Sequence, residues 1–179
     1  PLIKGVRGAQ SSGASLVSFN APAFCSYGHE QGENAPVGEY AAFAYTTALN
    51  ALLADWEHCK TIGDTTVVCW AENAGTAYAD LGTMALFGIP ADAGVQEEDV
   101  SRALALLARG QACEFLEQTL LPDQHFYFLG LAPNAARLSV RFFLHDSLKQ
   151  FAAQIRAHEA ALEIVRPAYE PHARLSLRE

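Results

Sequence analysis

The chain has 179 residues, half of them hydrophobic and 18% charged, enough to bury one core or a core with a small satellite, which excludes disorder as its main state. The apolar charge-free run Tyr40 to Ala54 is shorter than the roughly 20 residues needed to span a bilayer, and no basic-then-apolar segment opens the chain, so a cytoplasmic protein without membrane contact is expected. Twenty acids against 12 bases leave a net charge of −8 with no Lys/Arg block, so the chain as a whole repels nucleic acid and any such contact has to be local.

Residues 1–14, with Gly5, Gly8 and Gly13, are expected to form a loop or ragged edge, while Ser15–Phe19 alternates polar and apolar residues like a short half-buried strand. Asn20–Pro36 mixes Gly and Pro with Asn, Gln, Tyr and Phe and reads as an ordered loop, of the kind that usually carries function. Glu39–Glu57 has the periodicity of a helix, with Tyr45, Ala48, Leu49, Leu52 and Trp56 on one stripe. Phe43, Thr46, Thr47, Asn50 and Ala54 lie opposite, a composition that predicts a helix covered on both sides. The β-branched run Thr65–Ala71 predicts a central strand after a Gly63-Asp64 turn.

A weaker helix is expected over 74–86 and a break at Gly88–Gly94, followed by a helix over 97–109 whose Val100, Ala103, Leu104 and Leu107 face inward, with a second helix through Leu121. His125–Leu131 and Ala136–Leu144 predict an antiparallel hairpin turning at Ala132–Ala135. In its second strand Leu138, Val140, Phe142 and Leu144 share one face, and Arg137, Ser139, Arg141 and Phe143 the other. Asp146 is the expected N-cap of a helix to 162 with Leu148, Phe151, Ala152, Ile155 and Leu162 inward. The fold class is therefore α+β: an antiparallel sheet including a 125–144 hairpin, packed against helices near 39–57, 97–109 and 146–162. Residues 1–166 read as one domain with a small excursion at 74–121, and 167–179 as a Pro-containing tail.

GxGxxG, Walker, HExxH and GxSxG motifs are all missing, which counts against an enzyme. Cys25 and His29 are the best-placed nucleophile and base, without a recognisable orienting group. Cys25, His29, His58 and Cys59 have the softness zinc prefers but not the paired spacing of a zinc site, and Cys25, Cys59, Cys69 and Cys113 read as reduced thiols. No catalytic residue, metal or cofactor is therefore expected. Arg137 and Arg141 stand on one strand face about 13 Å apart, a span that bridges phosphates; pairing with nearby acids is the equally ordinary alternative. Asn20, Gln31 and Asn34 are amides able to read base edges, with Phe24 and Tyr27 as stacking or wedge groups. The same residue types also suit a protein-protein patch, which the net charge favours.

Four stretches resemble one known family: Ser15–Phe24 with Ser26-Tyr-Gly28, Asn34-Ala-Pro36 followed by Ala42–Asn50, Ile62–Glu72, and Leu129–Phe142. Together they are similar to the middle of the large subunit of the type I-C CRISPR interference complex (Cascade), the Dvulg-subtype CRISPR-associated family. The resemblance implies a non-catalytic fragment of a larger subunit that helps read the PAM in double-stranded target DNA and supports R-loop formation, while base pairing with the guide reads the rest of the sequence. It further implies crRNA-containing backbone subunits and a recruited helicase-nuclease as partners. On this reading Asn20, Tyr27, Gln31 and Asn34 approach duplex DNA or a neighbouring subunit, and Asn134, Arg137 and Arg141 a phosphate backbone. The alternative is a scaffold that contacts only the backbone subunits or the nuclease.

Overall fold

The structure, a computed structural model, describes residues 1–55, 58–72 and 75–162. Among these, four helices and six strands follow in the order α1 (Glu39–Ala54), β1 (Cys59–Ile62), β2 (Thr65–Ala71), α2 (Thr76–Phe87), α3 (Glu97–Ala108), β3 (Cys113–Phe115), β4 (Gln118–Leu120), β5 (His125–Asn134), β6 (Arg137–Ser147) and α4 (Leu148–Ala161). An antiparallel four-stranded sheet has the order β1-β2-β5-β6, and β3 pairs separately with β4. The class is α+β, as expected. Trp56 and the tail over 167–179 lie outside the described residues. The chain divides into two compact units.

The first unit comprises Pro1–Val68 and Leu129–Phe143. Its opening segment is no ragged edge. Ile3, Val6 and Ala14 are buried, Ile3 bridges Ala14, and the Asn50 side chain of α1 accepts from the Lys4 N–H at 2.8 Å and donates to the Leu2 carbonyl at 3.1 Å. Asn50, on the face opposite the expected apolar stripe, thus satisfies two backbone groups that would otherwise need water. Gly13, at φ 105°, sits where a Cβ would come within 2.8 Å of Leu2.

The expected strand over Ser15–Phe19 does not form. Only Ser15 pairs, in a parallel bridge to Arg137, because the chain then turns into the loop and offers no further backbone groups. In α1 the buried residues are Thr46, Leu49 and Leu53, so of the expected stripe Tyr45, Ala48, Leu49, Leu52 and Trp56 only Leu49 is buried among the described residues. Thr46, on the face opposite the expected stripe, donates its hydroxyl to the Ala42 carbonyl at 2.6 Å, so it is buried without an orphaned group. The opposite side is not covered: Tyr40 and Phe43 are 84% and 65% exposed. Between β1 and β2, Gly63 takes φ 59° and Ile62 pairs with Thr65, confirming the two-residue turn; β1 itself was not anticipated.

The second unit comprises Cys69–Phe128 and, among the described residues, 144–162. Phe126 and Phe128 turn into it and pack on Phe151 of α4 at ring distances of 5.6 and 4.9 Å. Gly82 of α2 lies against the Phe126 ring, where a Cβ would meet Cζ at 2.5 Å. In α3 the expected inward residues Val100, Ala103, Leu104 and Leu107 are all buried.

The second helix through Leu121 is replaced by the β3–β4 hairpin, with Phe115 opposite Gln118. Its turn residues Leu116 and Glu117 both have positive φ, 47° and 60°, and neither is a residue type that announces such a turn. The cap of α4 is Ser147, whose hydroxyl accepts from the Gln150 N–H at 3.2 Å; Asp146 instead accepts from the Ser147 N–H. Leu162 is 42% exposed rather than inward. The long hairpin turns at Ala135-Ala136, later than expected, with Ala135 at φ 53°. Along β6 the shared face is unevenly covered: Leu138 is buried, while Val140 and Leu144 are more than half exposed.

Candidate nucleic-acid interface

Asn20–Pro36 is an ordered loop held by its own short-range bonds. Pro22 presets the first of two 3-10 turns, Pro22–Phe24, and the second, Gln31–Asn34, opens on a reciprocal Glu30–Glu33 capping box. Asn34 ties the loop together. Its Oδ1 accepts from the Ser26 N–H at 2.9 Å and its Nδ2 donates to the His29 and Gln31 carbonyls at 3.1 and 3.2 Å. The amide proposed from sequence as a base reader is thus employed on loop backbone.

Tyr27 and Gly28, at φ 55° and 76°, form a left-handed pair that projects the Tyr27 ring outward until it is 97% exposed. Gln31, at φ 43°, is also exposed. A side chain so fully solvated contributes little packing to the loop it stands on.

The remaining sequence-derived residues divide into two places. Asn20 accepts a hydrogen bond from the Arg137 guanidinium, which lies over the Phe24 ring at 4.9 Å from its centroid. Arg137 and Asn134 also line a shallow groove of about 340 Å3 whose walls are Leu16, Val17, Ser18, Phe19, Phe24 and Leu138. Among the described residues no carboxylate is paired with Arg137, so its charge is oriented by a neutral amide and an aromatic face without being neutralised. Arg141 is different: it bonds Asp64 at 2.9 Å, both side chains being about half or more exposed. The bond from the Thr65 hydroxyl and the Arg141 charge together hold the Asp64 carboxyl below its ordinary value.

Phe24 was named from sequence as a stacking residue; that its partner would be Arg137, far along the chain, had no sequence signal. The walls over Leu16–Phe19 were missed because the segment was read as a strand. Outside this region, Cys25 is exposed with its thiol against the Ala21 carbonyl at 3.8 Å, His29 faces Glu33 at 3.8 Å, and His58 bonds Asp55 at 2.9 Å. Burial raises the thiol pKa of Cys59, and that of Cys113 with help from Glu114. Among the described residues no group of three or more His, Cys, Asp or Glu could hold a metal ion, and no helix is long and apolar enough to cross a membrane.

The loop with its outward Tyr27 and the groove headed by Arg137 both lie in the first unit. No curated protein matches the chain. The family model of CRISPR-associated protein (Cas_Csd1) matches residues 1–179, and the chain therefore belongs to this family of CRISPR-associated proteins.

Proposed function

We propose that the chain is a segment of the large subunit of a type I-C interference complex and contributes, without chemistry of its own, to recognition of the PAM and target duplex and to support of the R-loop. Its partners on this reading are crRNA-containing backbone subunits, double-stranded target DNA and a recruited helicase-nuclease, in the cytoplasm. The observation that supports it best is Arg137, held over Phe24 by Asn20 at the mouth of the groove with no carboxylate partner among the described residues. A preoriented guanidinium beside amides gives a backbone phosphate a charge-assisted bond while the protein gives up little side-chain freedom. Arg141 is the secondary phosphate contact, reached by exchanging Asp64 for phosphate. Tyr27 and Gln31 are the loop groups offered to bases, and Asn34 acts by keeping the loop in shape.

The test is binding of a PAM-containing and a scrambled-PAM duplex by the full complex. Arg137→Ala is expected to weaken both and to reduce the slope of log affinity against log salt by about one. Tyr27→Ala is expected to lower the ratio between the two duplexes with assembly intact. An unchanged salt slope with Arg137→Ala overturns the phosphate assignment.

One feature favours a second reading, a scaffold seated on other subunits: the exposed aromatic rings of Tyr40 and Phe43 on α1. Loss of assembly with Phe43→Glu, and unchanged DNA binding with Arg137→Ala, would establish that reading in place of the first.

A further inference from the structure

A groove of about 270 Å3 between α3 and the β3–β4 hairpin lies wholly in the second unit and shares no residue with the interface described above. Its floor is apolar: Ala103, Cys113 and Phe115 are buried at 3%, 6% and 5% exposure, with Leu106 beside them. Period-two alternation along β3 turns Cys113 and Phe115 inward together. Burial and the adjacent Glu114 raise the Cys113 pKa, so the thiol stays protonated and the floor uncharged at neutral pH. Leu116, at φ 47° in the hairpin turn and 42% exposed, carries the apolar surface out to the rim.

Three charged side chains line the groove, and among the described residues only Glu114 lacks a partner of opposite sign. Asp99 is engaged twice: one oxygen pairs with the Arg102 guanidinium and the other accepts from the Gln96 N–H. Arg102 is therefore neutralised in place, and an anion would have to displace Asp99 to reach it. Glu114 accepts only the Thr119 hydroxyl, at 2.5 Å. Glu97 and Glu98, in the first turn of α3, and Glu117, in the hairpin turn, are exposed and have no ion-pair partner among the described residues. From Gly94 to Leu120 five acids, Glu97, Glu98, Asp99, Glu114 and Glu117, stand against two bases, Arg102 and Arg109, a local charge of −3. The helix dipole accounts for acids at the start of α3; it does not account for Glu114 or Glu117, which belong to the hairpin.

An apolar floor beside an unneutralised carboxylate selects an occupant with an apolar group next to a positive one. The volume is below the roughly 300–1,000 Å3 of pockets for drug-sized ligands and suits one large side chain acting as an anchor. Acids on both α3 and the hairpin call for more than one positive group around that anchor, which a stretch of polypeptide carries and a small amine does not. We propose that this groove receives one large apolar side chain of a partner protein whose neighbouring residues are Lys or Arg, one of them bonded to Glu114. A second copy brings the same local negative charge and nucleic acid brings more, so both are repelled here. The proposal stands independently of the DNA-contact reading, whose residues all belong to the first unit.

The test places a photo-crosslinker at position 116 of the protein in its native assembly and maps the crosslinked residue by mass spectrometry. The crosslink is expected in a partner segment that holds a large apolar residue among Lys or Arg residues. A synthetic peptide of that segment is then titrated onto the full chain. Glu114→Gln, which keeps an acceptor for Thr119, is expected to weaken binding about three- to fivefold, and Glu114→Lys roughly tenfold or more, with unchanged circular dichroism spectra. Replacing the apolar anchor of the peptide by Ala is expected to cost roughly tenfold or more. Leu106→Arg, which fills the floor, is expected to abolish binding; should it fail to fold, the variants of the exposed Glu114 carry the test. The proposal is overturned by the absence of a crosslink, by one to an acidic or uncharged segment, to a second copy, within the same chain or to nucleic acid, or by undiminished affinity in both Glu114 variants.

Discussion

Arg137 and Arg141 are four residues apart on one strand, yet their surroundings give them different chemistry. Arg141 faces a carboxylate that is itself supported by the Thr65 hydroxyl, at 3.0 Å; Arg137 faces an amide and a ring. An exposed ion pair is worth little to stability because water screens it, so the Arg141–Asp64 pair is best read out by titration. The depressed Asp64 pKa means that its contribution is fully present above the ordinary carboxylate value of about 3.9 and is lost as pH falls through the lower folded value. NMR-followed titration is expected to place the Asp64 midpoint below that ordinary value. Thr65→Val should raise it most and Arg141→Ala less, following the order of the two causes. Equal midpoints in wild type and both variants would mean that neither contact persists in solution.

At the scale of elements, the sequence was read correctly where side-chain period and burial agree. Val100, Ala103, Leu104 and Leu107 repeat at helical spacing and face the interior of one unit, and β2 is a β-branched run with four consecutive buried residues. The reading failed where local chemistry was atypical. The β3–β4 turn places Leu116 and Glu117 in left-handed conformations that Asn and Gly adopt with less strain, so no turn signal marked it and a helix was expected instead. The variant Leu116→Asn with Glu117→Gly is expected to stabilise the protein by about 0.5–1 kcal/mol in denaturant unfolding. A loss of stability would indicate that the exposed Leu116 side chain contributes packing.

Gly82 is the opposite case, a helix-interior glycine justified by contact. Gly82→Ala improves helix propensity by about 1 kcal/mol but pushes a methyl into the fully buried Phe126 ring. A net destabilisation of roughly 1–3 kcal/mol is expected. Gly130→Ala meets the Phe142 ring at Cε1, at 2.5 Å, but Phe142 is only partly buried where Phe126 is fully so, and the substitution should cost less. Equal costs would show that Phe126 yields as readily as Phe142.

For the whole molecule, the candidate interface was legible in its parts and illegible in its assembly. Loop composition singled out Asn20 and Phe24, strand periodicity Arg137, and the family resemblance Asn134, but the contact of Arg137 with Asn20 spans 117 positions of sequence, and nothing local encodes such a contact. Conversely, the near absence of charge on the face with Phe43, Thr46, Thr47, Asn50 and Ala54 predicted cover on both sides, whereas among the described residues only Thr46, Leu49 and Leu53 of α1 are fully buried. Phe43→Ser is therefore expected to leave unfolding free energy, measured by denaturant unfolding, within about 0.5 kcal/mol of wild type. A larger loss of stability would show that Phe43 is packed within its own chain.

The division of the chain has a consequence for synthesis. The first unit needs Leu129–Phe143 in addition to its first 68 residues, and the second is interrupted by that same stretch, so neither is a continuous length of polypeptide. On the ribosome, α1 and the β1–β2 hairpin emerge early but cannot bury Leu131, Ala132 and Leu138 beside them until residue 143 has cleared the exit tunnel. At synthesis rates of roughly 5–20 residues per second, the nascent chain is exposed for several seconds with its first apolar surfaces uncovered. Its acidity, which opposes self-association, protects it over that interval.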